Sequence, residues 1–183
     1  MNKKLYQEAF EKGLKITRNH LEDFRGGFPA PASEGNRYPK IENNDWTAGF
    51  YTGILWMCYE YSKDRAFYNV AMEQIQSYRY RIDHRVVVDH HDMGFIYSLS
   101  CVAAYKITGD EFARETALLA ADNLKSRFRK KGQFIQAWGE LDLKENYRLI
   151  IDCLLNLPIL YWAADITGDS SYRDVAEKHL ATT

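Results

Sequence analysis

The sequence predicts an all-α protein whose helical hairpins are arranged as an α/α toroid. Two observations lead to this prediction: three almost wholly apolar segments recur along the chain, and a more polar segment with an early aromatic residue follows each of them. A helix that is apolar all round is buried, whereas a helix with one apolar stripe lies on the outside. The repeating unit is therefore an inner helix followed by an outer helix, and such repeats stack into solenoids or close into toroids.

The apolar segments are the predicted inner helices. They cover residues 45–64, 92–110 and 152–169, and each begins with an aspartate and ends at Lys-Asp or Gly-Asp. Residues 2–24 and 170–183 are predicted to form the first and the last outer helix. The outer helix of the middle repeat carries a clear apolar stripe, formed by Ala113, Ala117, Ala120, Ala121, Leu124 and Phe128.

Composition and charge narrow the class of protein. With 183 residues, 46% of them hydrophobic and 14% aromatic, we expect one ordered globular domain over residues 1–183. The net charge of −1 arises from 24 basic and 25 acidic residues that are well mixed, which argues against nucleic acid or a membrane as a partner. No apolar run reaches the roughly 18 residues of a membrane span, and the amino terminus lacks the apolar core of a signal peptide.

Three cysteines indicate the compartment. Cys58, Cys101 and Cys153 are odd in number and lie in apolar surroundings, so we expect buried free thiols. Free thiols are typical of a reducing compartment, which predicts a cytoplasmic protein.

An aspartate marks the start of each inner helix. Because Pro158 lacks a backbone N–H and fits only the first turn of a helix, the third inner helix is predicted to begin near residues 154–156. Asp152 then lies in its first turn or in the loop before it, as Asp45 and Asp92 do in their repeats. When inner and outer helices alternate, all inner helices begin at the same end of the toroid. The three aspartates should therefore lie close together at that end, which we call the mouth.

Capping offers a second explanation for these aspartates, since aspartate is a favoured N-cap residue. Capping alone explains the position of Asp45. For Asp92, capping and a catalytic role explain the position equally well. Asp152 lies among apolar residues in the run 148–162, and an ionised carboxylate is costly to bury unless it is paired. Capping explains the position of Asp152 but not this apolar setting.

We predict that four further side chains rim the mouth and bind the substrate: Trp46, His91, Gln136 and Trp138. For the two tryptophans a place in the core is the common alternative. We find no HExxH, paired CxxC, calcium-loop, GxSxG, Walker or dinucleotide motif, and therefore expect neither a metal nor a cofactor.

Three stretches resemble one known enzyme family. They are NDWTAGFYTGILW, DHHDMGFIYSLSCVAAYKITGD and RLIIDCLLNLPILYWAADITGD, and they closely resemble the unsaturated glucuronyl hydrolases of glycoside hydrolase family 88 along essentially the whole chain. The resemblance implies a barrel of six helical hairpins and the release of Δ4,5-unsaturated uronic acid from oligosaccharides that polysaccharide lyases produce. It also implies catalytic roles for Asp92 and Asp152 and sugar stacking by Trp46, and we expect Trp138 to act likewise.

The implied chemistry fits the aspartate pair. The substrate is a vinyl ether, so protonation at C4 develops oxocarbenium character at C5, water adds there, and the resulting hemiketal opens and expels the remaining sugar. An apolar setting favours the protonated form of a carboxyl group, which suits Asp152 as the acid that later accepts a proton from water. An ionised Asp92 would stabilise positive charge on the ring.

Six hairpins need twelve helices, which is roughly double this chain. We therefore expect the amino-terminal half of such an enzyme, inactive alone and self-associating through an exposed flank at Leu154, Leu157, Leu160 and Tyr161. Two alternatives stay open. One is an unsaturated rhamnogalacturonyl hydrolase, with the same fold and chemistry but pectin-derived substrates. The other is a non-catalytic helical fragment that binds carbohydrate or serves as a scaffold.

Overall fold

Inner and outer helices alternate along the chain, as the repeat predicted. The structure, a computed structural model, describes residues 3–183. Over this range the outer helices are α1 (Lys3–Asn19), α3 (Arg65–Asp83), α6 (Glu111–Ser126) and α8 (Ser170–Thr182). The inner layer consists of α2 (Ala48–Ser62), α4 (Met93–Tyr97), α5 (Ala103–Thr108) and α7 (Pro158–Thr167), with a π-helical turn (Ser98–Val102) joining α4 to α5. The prediction of three inner and four outer helices is confirmed within residues 3–183. The first outer helix ends at Asn19 and not at the predicted residue 24, and its predicted start at residue 2 lies outside the described residues.

Each inner helix ends in the same two-residue turn, formed by Lys63 and Asp64, Gly109 and Asp110, and Gly168 and Asp169. The first residue of each pair has a positive φ and ends the inner helix. The carboxylate of the second accepts a hydrogen bond from a backbone N–H in the first turn of the outer helix. The Lys-Asp and Gly-Asp pairs are thus a C-cap followed directly by an N-cap, which makes the tight turn between the layers.

The core lies between the two layers of helices. Its largest fully buried side chains include Trp56, Tyr78 and Tyr97. Trp56 donates from Nε1 to the carbonyl of Ser100 at 3.1 Å, so a side chain of α2 holds the π-helical turn of the next inner helix. The three cysteines are buried free thiols, as predicted.

Two short β-hairpins, which the sequence analysis did not predict, connect the repeats. Strand β1 (Phe28–Pro29) pairs with β2 (Lys40–Ile41), and β3 (Phe128–Arg129) pairs with β4 (Phe134–Ile135). Helix α6 ends at Ser126, so Phe128 lies in β3 and does not extend the stripe of this helix. Arg127 donates from Nε to the carbonyl of Gln136 at 3.1 Å, which ties the second hairpin to the end of α6.

The third inner helix begins later than predicted. Helix α7 starts at Pro158, and Ile151–Asn156 form a separate 3₁₀-helix before it. Proline suits the first helical position because its φ is already helical and its missing N–H would have no partner there. The residues before Pro158 are therefore wound independently of α7.

The exposed apolar flank also differs from the prediction. Leu157 and Leu160 are buried, because α7 packs between α4, α6 and α8, and Tyr161 is partly buried. Of the four predicted residues, Leu154 is exposed. The described residues instead leave one face of α2 uncovered, where the exposed side chains are Phe50, Ile54, Met57 and Tyr61. Within residues 3–183, no helix combines the length and the apolar character that crossing a bilayer requires.

Candidate active site

Asp92 and Asp152 both face the Nε2 atom of the His91 imidazole. His91 Nε2 lies 3.2 Å from Asp92 Oδ1 and 3.7 Å from Asp152 Oδ1. The His91 side chain is only 2% exposed, whereas both aspartate side chains are partly open to solvent. Two carboxylates that are far apart in the sequence therefore meet where the second and third inner helices begin.

A close backbone approach makes this meeting possible. A Cβ on Gly94 would lie closer than 3.0 Å to the Cα and the carbonyl oxygen of Asn156. The side chain of Asn156 is buried, and its Oδ1 accepts a hydrogen bond from the backbone N–H of Phe95 at 2.9 Å. The sequence analysis missed Asn156, although a polar residue within the apolar run LLNLPIL is a signal that could have identified it.

Two histidines keep Asp92 ionised. Burial alone raises the pKa of Asp92, but hydrogen bonds from His90 and His91, and the charge of these rings when protonated, outweigh this and hold that pKa well below its usual range. His90 Nδ1 lies 3.2 Å from Asp92 Oδ2, while His90 Nε2 lies 2.8 Å from the carbonyl of Val87. Asp92 occupies the N-cap position of α4, yet its carboxylate makes no capping hydrogen bond to any described residue. The structure thus shows the carboxylate engaged by histidines and not by the helix start.

The surroundings of Asp152 differ from the predicted apolar pocket. Its apolar neighbours Ile151 and Leu155 are 94% and 63% exposed, respectively. A 3₁₀-helix has three residues per turn, so its inward positions recur every three residues and here are Cys153 and Asn156. The other apolar side chains of this turn point outward. Asp152 Oδ1 itself is buried and has no hydrogen-bond partner within residues 3–183.

Asp45 serves the turn before α2. Its Oδ1 accepts hydrogen bonds from the backbone N–H of Thr47 at 2.8 Å and from Thr47 Oγ1 at 2.7 Å. The buried guanidinium of Arg81 holds the same turn, donating from Nη1 to the Asp45 carbonyl at 2.8 Å and to Asn43 Oδ1 at 3.0 Å. The N-cap of α2 is Thr47, so Asp45 stabilises the turn before the helix and is not its N-cap as predicted. The predicted convergence of three aspartates reduces to the pair Asp92 and Asp152.

Both tryptophans of the predicted rim are exposed. Trp46 is 46% exposed and packs against Phe50 and Phe95, with ring centroids 5.9 and 5.7 Å away. It lines an apolar groove of about 550 Å³ along α2. Trp138 is 40% exposed, and the guanidinium carbon of Arg148 lies 5.2 Å from its ring centroid. Neither ring is a core residue.

His91 and Gln136 do not lie on the exposed rim, contrary to the prediction. Gln136 is fully buried, and its Nε2 donates to the carbonyls of Trp138, Gly139 and Glu140 at 3.1–3.2 Å. It therefore shapes the loop that carries Trp138. His91 is buried, and its backbone N–H donates to the carbonyl of Ala137 at 2.7 Å, which joins this loop to the Asp92 segment.

Among the described residues, this site also contains a group of side chains that could hold a metal ion. His91, Asp92 and Asp152 each offer one ligand atom, and these atoms lie within 4.8 Å of one another. Carboxylate oxygens and an imidazole nitrogen suit several divalent cations. The same atoms are those that a proton-transfer site needs, and the absence of a metal stays a prediction.

The chain is similar to proteins of one family along most of its length. A family model described as Glycosyl Hydrolase Family 88 matches residues 20–183. The chain is 50% identical over 173 residues to an unsaturated chondroitin disaccharide hydrolase of Streptococcus pneumoniae, covering 94% of this chain and 44% of that protein. It is 47% identical over 176 residues to an unsaturated glucuronyl hydrolase of Bacillus sp. strain GL1, covering 96% of this chain and 47% of the relative.

Solved structures agree with these relatives. The fold matches the crystal structure of the unsaturated glucuronyl hydrolase of Streptococcus agalactiae with a TM-score of 0.97 at 47% identity, covering 100% of this chain and 46% of that chain. A mutant of the Streptococcus agalactiae enzyme complexed with dGlcA-GalNAc6S matches with a TM-score of 0.83 at 39% identity, covering 97% of this chain and 42% of that chain. The matched structures are α/α barrels, and the chain spans about half the length of the curated relatives it matches.

Proposed function

This chain belongs to glycoside hydrolase family 88, and we propose that the protein containing it releases Δ4,5-unsaturated uronic acid from oligosaccharides of the glycosaminoglycan type. The observation that carries the proposal is the pair of carboxylates, Asp92 and Asp152, which both face the Nε2 atom of His91. The relatives named as chondroitin disaccharide hydrolases, at 46% to 50% identity, support this choice of substrate class.

In the proposed reaction the two carboxylates have different roles. Asp152 transfers its proton to C4 of the vinyl ether, and the positive charge that develops at C5 is stabilised by the ionised Asp92. Asp152, now a carboxylate, accepts a proton from the water that adds at C5. The hemiketal formed in this way opens and expels the remaining sugar. The low pKa of Asp92, which results from its histidine contacts, supports this division of roles.

We assign substrate stacking to Trp46 and Trp138. Both rings are exposed, and Trp46 is connected to the Asp92 segment through its packing on Phe95 of α4. An aromatic face can stack against the apolar face of a sugar ring and orient it over the carboxylates. His91 and Gln136, because they are buried, act in the proposal by positioning Asp92, Asp152 and the Trp138 loop.

Two further features of the protein are part of the proposal. The buried thiols support a cytoplasmic location, and burial raises the pKa of the Cys101 thiol to about 12, which keeps it protonated and unreactive. The uncovered apolar face of α2 supports self-association of the chain by itself.

The decisive experiment follows the conjugated double bond of the substrate by its ultraviolet absorbance. The complete protein is mixed with an unsaturated chondroitin disaccharide and, separately, with an unsaturated rhamnogalacturonan product of a pectin lyase. We expect the absorbance to fall with the chondroitin disaccharide. A fall with the pectin product alone would identify a rhamnogalacturonyl hydrolase, and binding of either sugar without any fall would identify a non-catalytic protein.

A further inference from the structure

Three outer helices, α3, α6 and α8, are each capped by the aspartate that precedes them. The carboxylates of Asp64, Asp110 and Asp169 accept hydrogen bonds of 2.8–2.9 Å from backbone N–H groups in the first turn of these helices. Each of the three aspartates has an extended backbone, with ψ between 106° and 116°. This is the usual behaviour of an N-cap aspartate, whose side chain satisfies an N–H that has no partner within the helix.

Asp92 occupies the same position before α4 but does not cap it. Its ψ is 7°, outside the extended range of the three capping aspartates, and its carboxylate makes no capping hydrogen bond to any described residue. The carboxylate instead faces His90 and His91, at 3.2 Å from one ring nitrogen of each. The first turn of α4 therefore needs an acceptor from elsewhere in the fold.

Asn156 supplies this acceptor from the next repeat. Its Oδ1 accepts a hydrogen bond from the backbone N–H of Phe95 at 2.9 Å, and its side chain is only 1% exposed. Phe95 is the third residue of α4, a position whose N–H an N-cap side chain usually binds. We propose that Asn156 is a surrogate N-cap of α4 and thereby a positioning residue for Asp92, because it takes over the capping hydrogen bond and leaves the Asp92 carboxylate free to face the mouth.

This hydrogen bond has a consequence for catalysis that rests on the proposed function. Asn156 is the last residue of the 3₁₀-helix that contains Asp152, so the same short helix carries one carboxylate and frees the other. Without the acceptor of Asn156, the N–H of Phe95 lacks its partner. Asp92, at the N-cap position, is then the residue placed to satisfy it, by turning its carboxylate away from the histidines.

Amide hydrogen exchange, resolved to single residues in the complete protein, identifies the group that caps α4. In Asp92→Ala we expect the Phe95 amide to keep its protection. Asp110→Ala is the matched self-capped case, in which the Ala113 amide should exchange faster by about fivefold, the effect of a typical cap. Loss of Phe95 protection in Asp92→Ala overturns the proposal, and this variant leaves Asn156 unchanged, so the result stands even where a variant at residue 156 does not fold.

Two substitutions of Asn156 test the acceptor itself. Asn156→Asp keeps an acceptor and removes only Nδ2, which has no partner within residues 3–183, so the Phe95 amide should stay protected. Asn156→Leu has no acceptor, and a crystal structure of this variant should show the Asp92 carboxylate turned toward the N–H groups of the first turn of α4. An Asp92 carboxylate that keeps both histidine contacts in Asn156→Leu overturns the positioning role.

Turnover distinguishes positioning from a general loss of structure. In Asn156→Leu we expect kcat to fall toward the value of Asp92→Asn, by about 10²-fold, with little change in KM, since Asp92 acts on the transition state. The double variant should lose little more than Asp92→Asn alone, whereas full multiplication of the two losses contradicts the proposal. If the wild type has no turnover, the proposed function fails, and hydrogen exchange still decides whether Asn156 caps α4.

Discussion

The backbone of Asn156 occupies the space that a side chain on Gly94 would need. A Cβ on Gly94 would lie closer than 3.0 Å to three backbone atoms of Asn156, so these segments can approach only where residue 94 has no side chain. This approach brings the start of α4, with Asp92, against the 3₁₀-helix that carries Asp152. The geometry of the carboxylate pair therefore depends on a residue that has no functional group.

Gly94→Ala should separate the two carboxylates. Backbone atoms cannot move aside as a flexible side chain can, so we expect a loss of about 1–3 kcal/mol in unfolding free energy and a much larger loss of turnover in the complete enzyme. Gly13→Ala on α1 is the matched control, because an added Cβ there meets no described atom within 4 Å. The control should be neutral or slightly stabilising in chemical denaturation. Equal behaviour of the two variants would show that the close approach is not needed.

Asp152→Asn should abolish turnover in the complete enzyme while the fold persists. The amide keeps the shape of the carboxyl group and can still form hydrogen bonds, but it cannot deliver a proton to C4. Asp45→Asn is the control, since an asparagine at this position can still cap the turn at Thr47. Steady-state rates and circular dichroism make the comparison. Activity within a few-fold of wild type would remove Asp152 from the acid role.

Asp92→Asn should lower turnover by roughly 10²-fold or more, because it removes the negative charge that stabilises the oxocarbenium-like ring. It should also change the dependence of stability on pH. A carboxyl group whose pKa is depressed by folding stabilises the native state above its unfolded pKa of about 4, and this contribution is lost as the pH falls further. The unfolding free energies of wild type and variant should therefore converge below this pH. Parallel curves throughout would show that Asp92 has no depressed pKa.

Trp46→Ala and Trp56→Ala should have opposite signatures. Trp46 is exposed and we expect its loss to weaken substrate binding with a small change in melting temperature. Trp56 is buried and donates to Ser100, so its truncation should cost about 3–5 kcal/mol of stability. Thermal melts with and without an unsaturated disaccharide measure both effects. A large loss of stability in Trp46→Ala without a binding defect would show that Trp46 contributes to packing and not to substrate binding.

Met57→Lys should reduce self-association of this chain. Met57 lies at the centre of the uncovered apolar face of α2, where a charge opposes burial against a second copy. Glu60→Gln, on the same helix, is the control for the change of charge alone, because it shifts the net charge by the same single positive unit. Sedimentation velocity over a range of concentrations measures the effect. A wild-type chain that sediments as a clean monomer contradicts the expectation of self-association.

The sequence by itself determined the alternation of inner and outer helices and the location of the carboxylates. Helix burial follows from the spacing of apolar residues, and the Lys-Asp and Gly-Asp turns follow from local capping chemistry, so both can be read within a few residues. The same reasoning placed Asp92 at the start of the second inner helix, where it is the N-cap of α4, and Asp152 before the third, where it lies in the 3₁₀-helix that precedes α7.

The tertiary structure decided which groups touch. Asn156 packs against Gly94, the Nε2 atom of His91 faces both carboxylates, and Gln136 shapes a loop. The polar Asn156 within an apolar run is visible in the sequence, but the partners of these three residues are not. The exposure of Ile151 and Leu155 was likewise unpredictable, because an apolar run shows that residues can be buried but not on which side the rest of the fold will lie. Periodicity is a property of neighbours along the chain, whereas contacts between repeats depend on how whole helices pack, and only the folded chain specifies that.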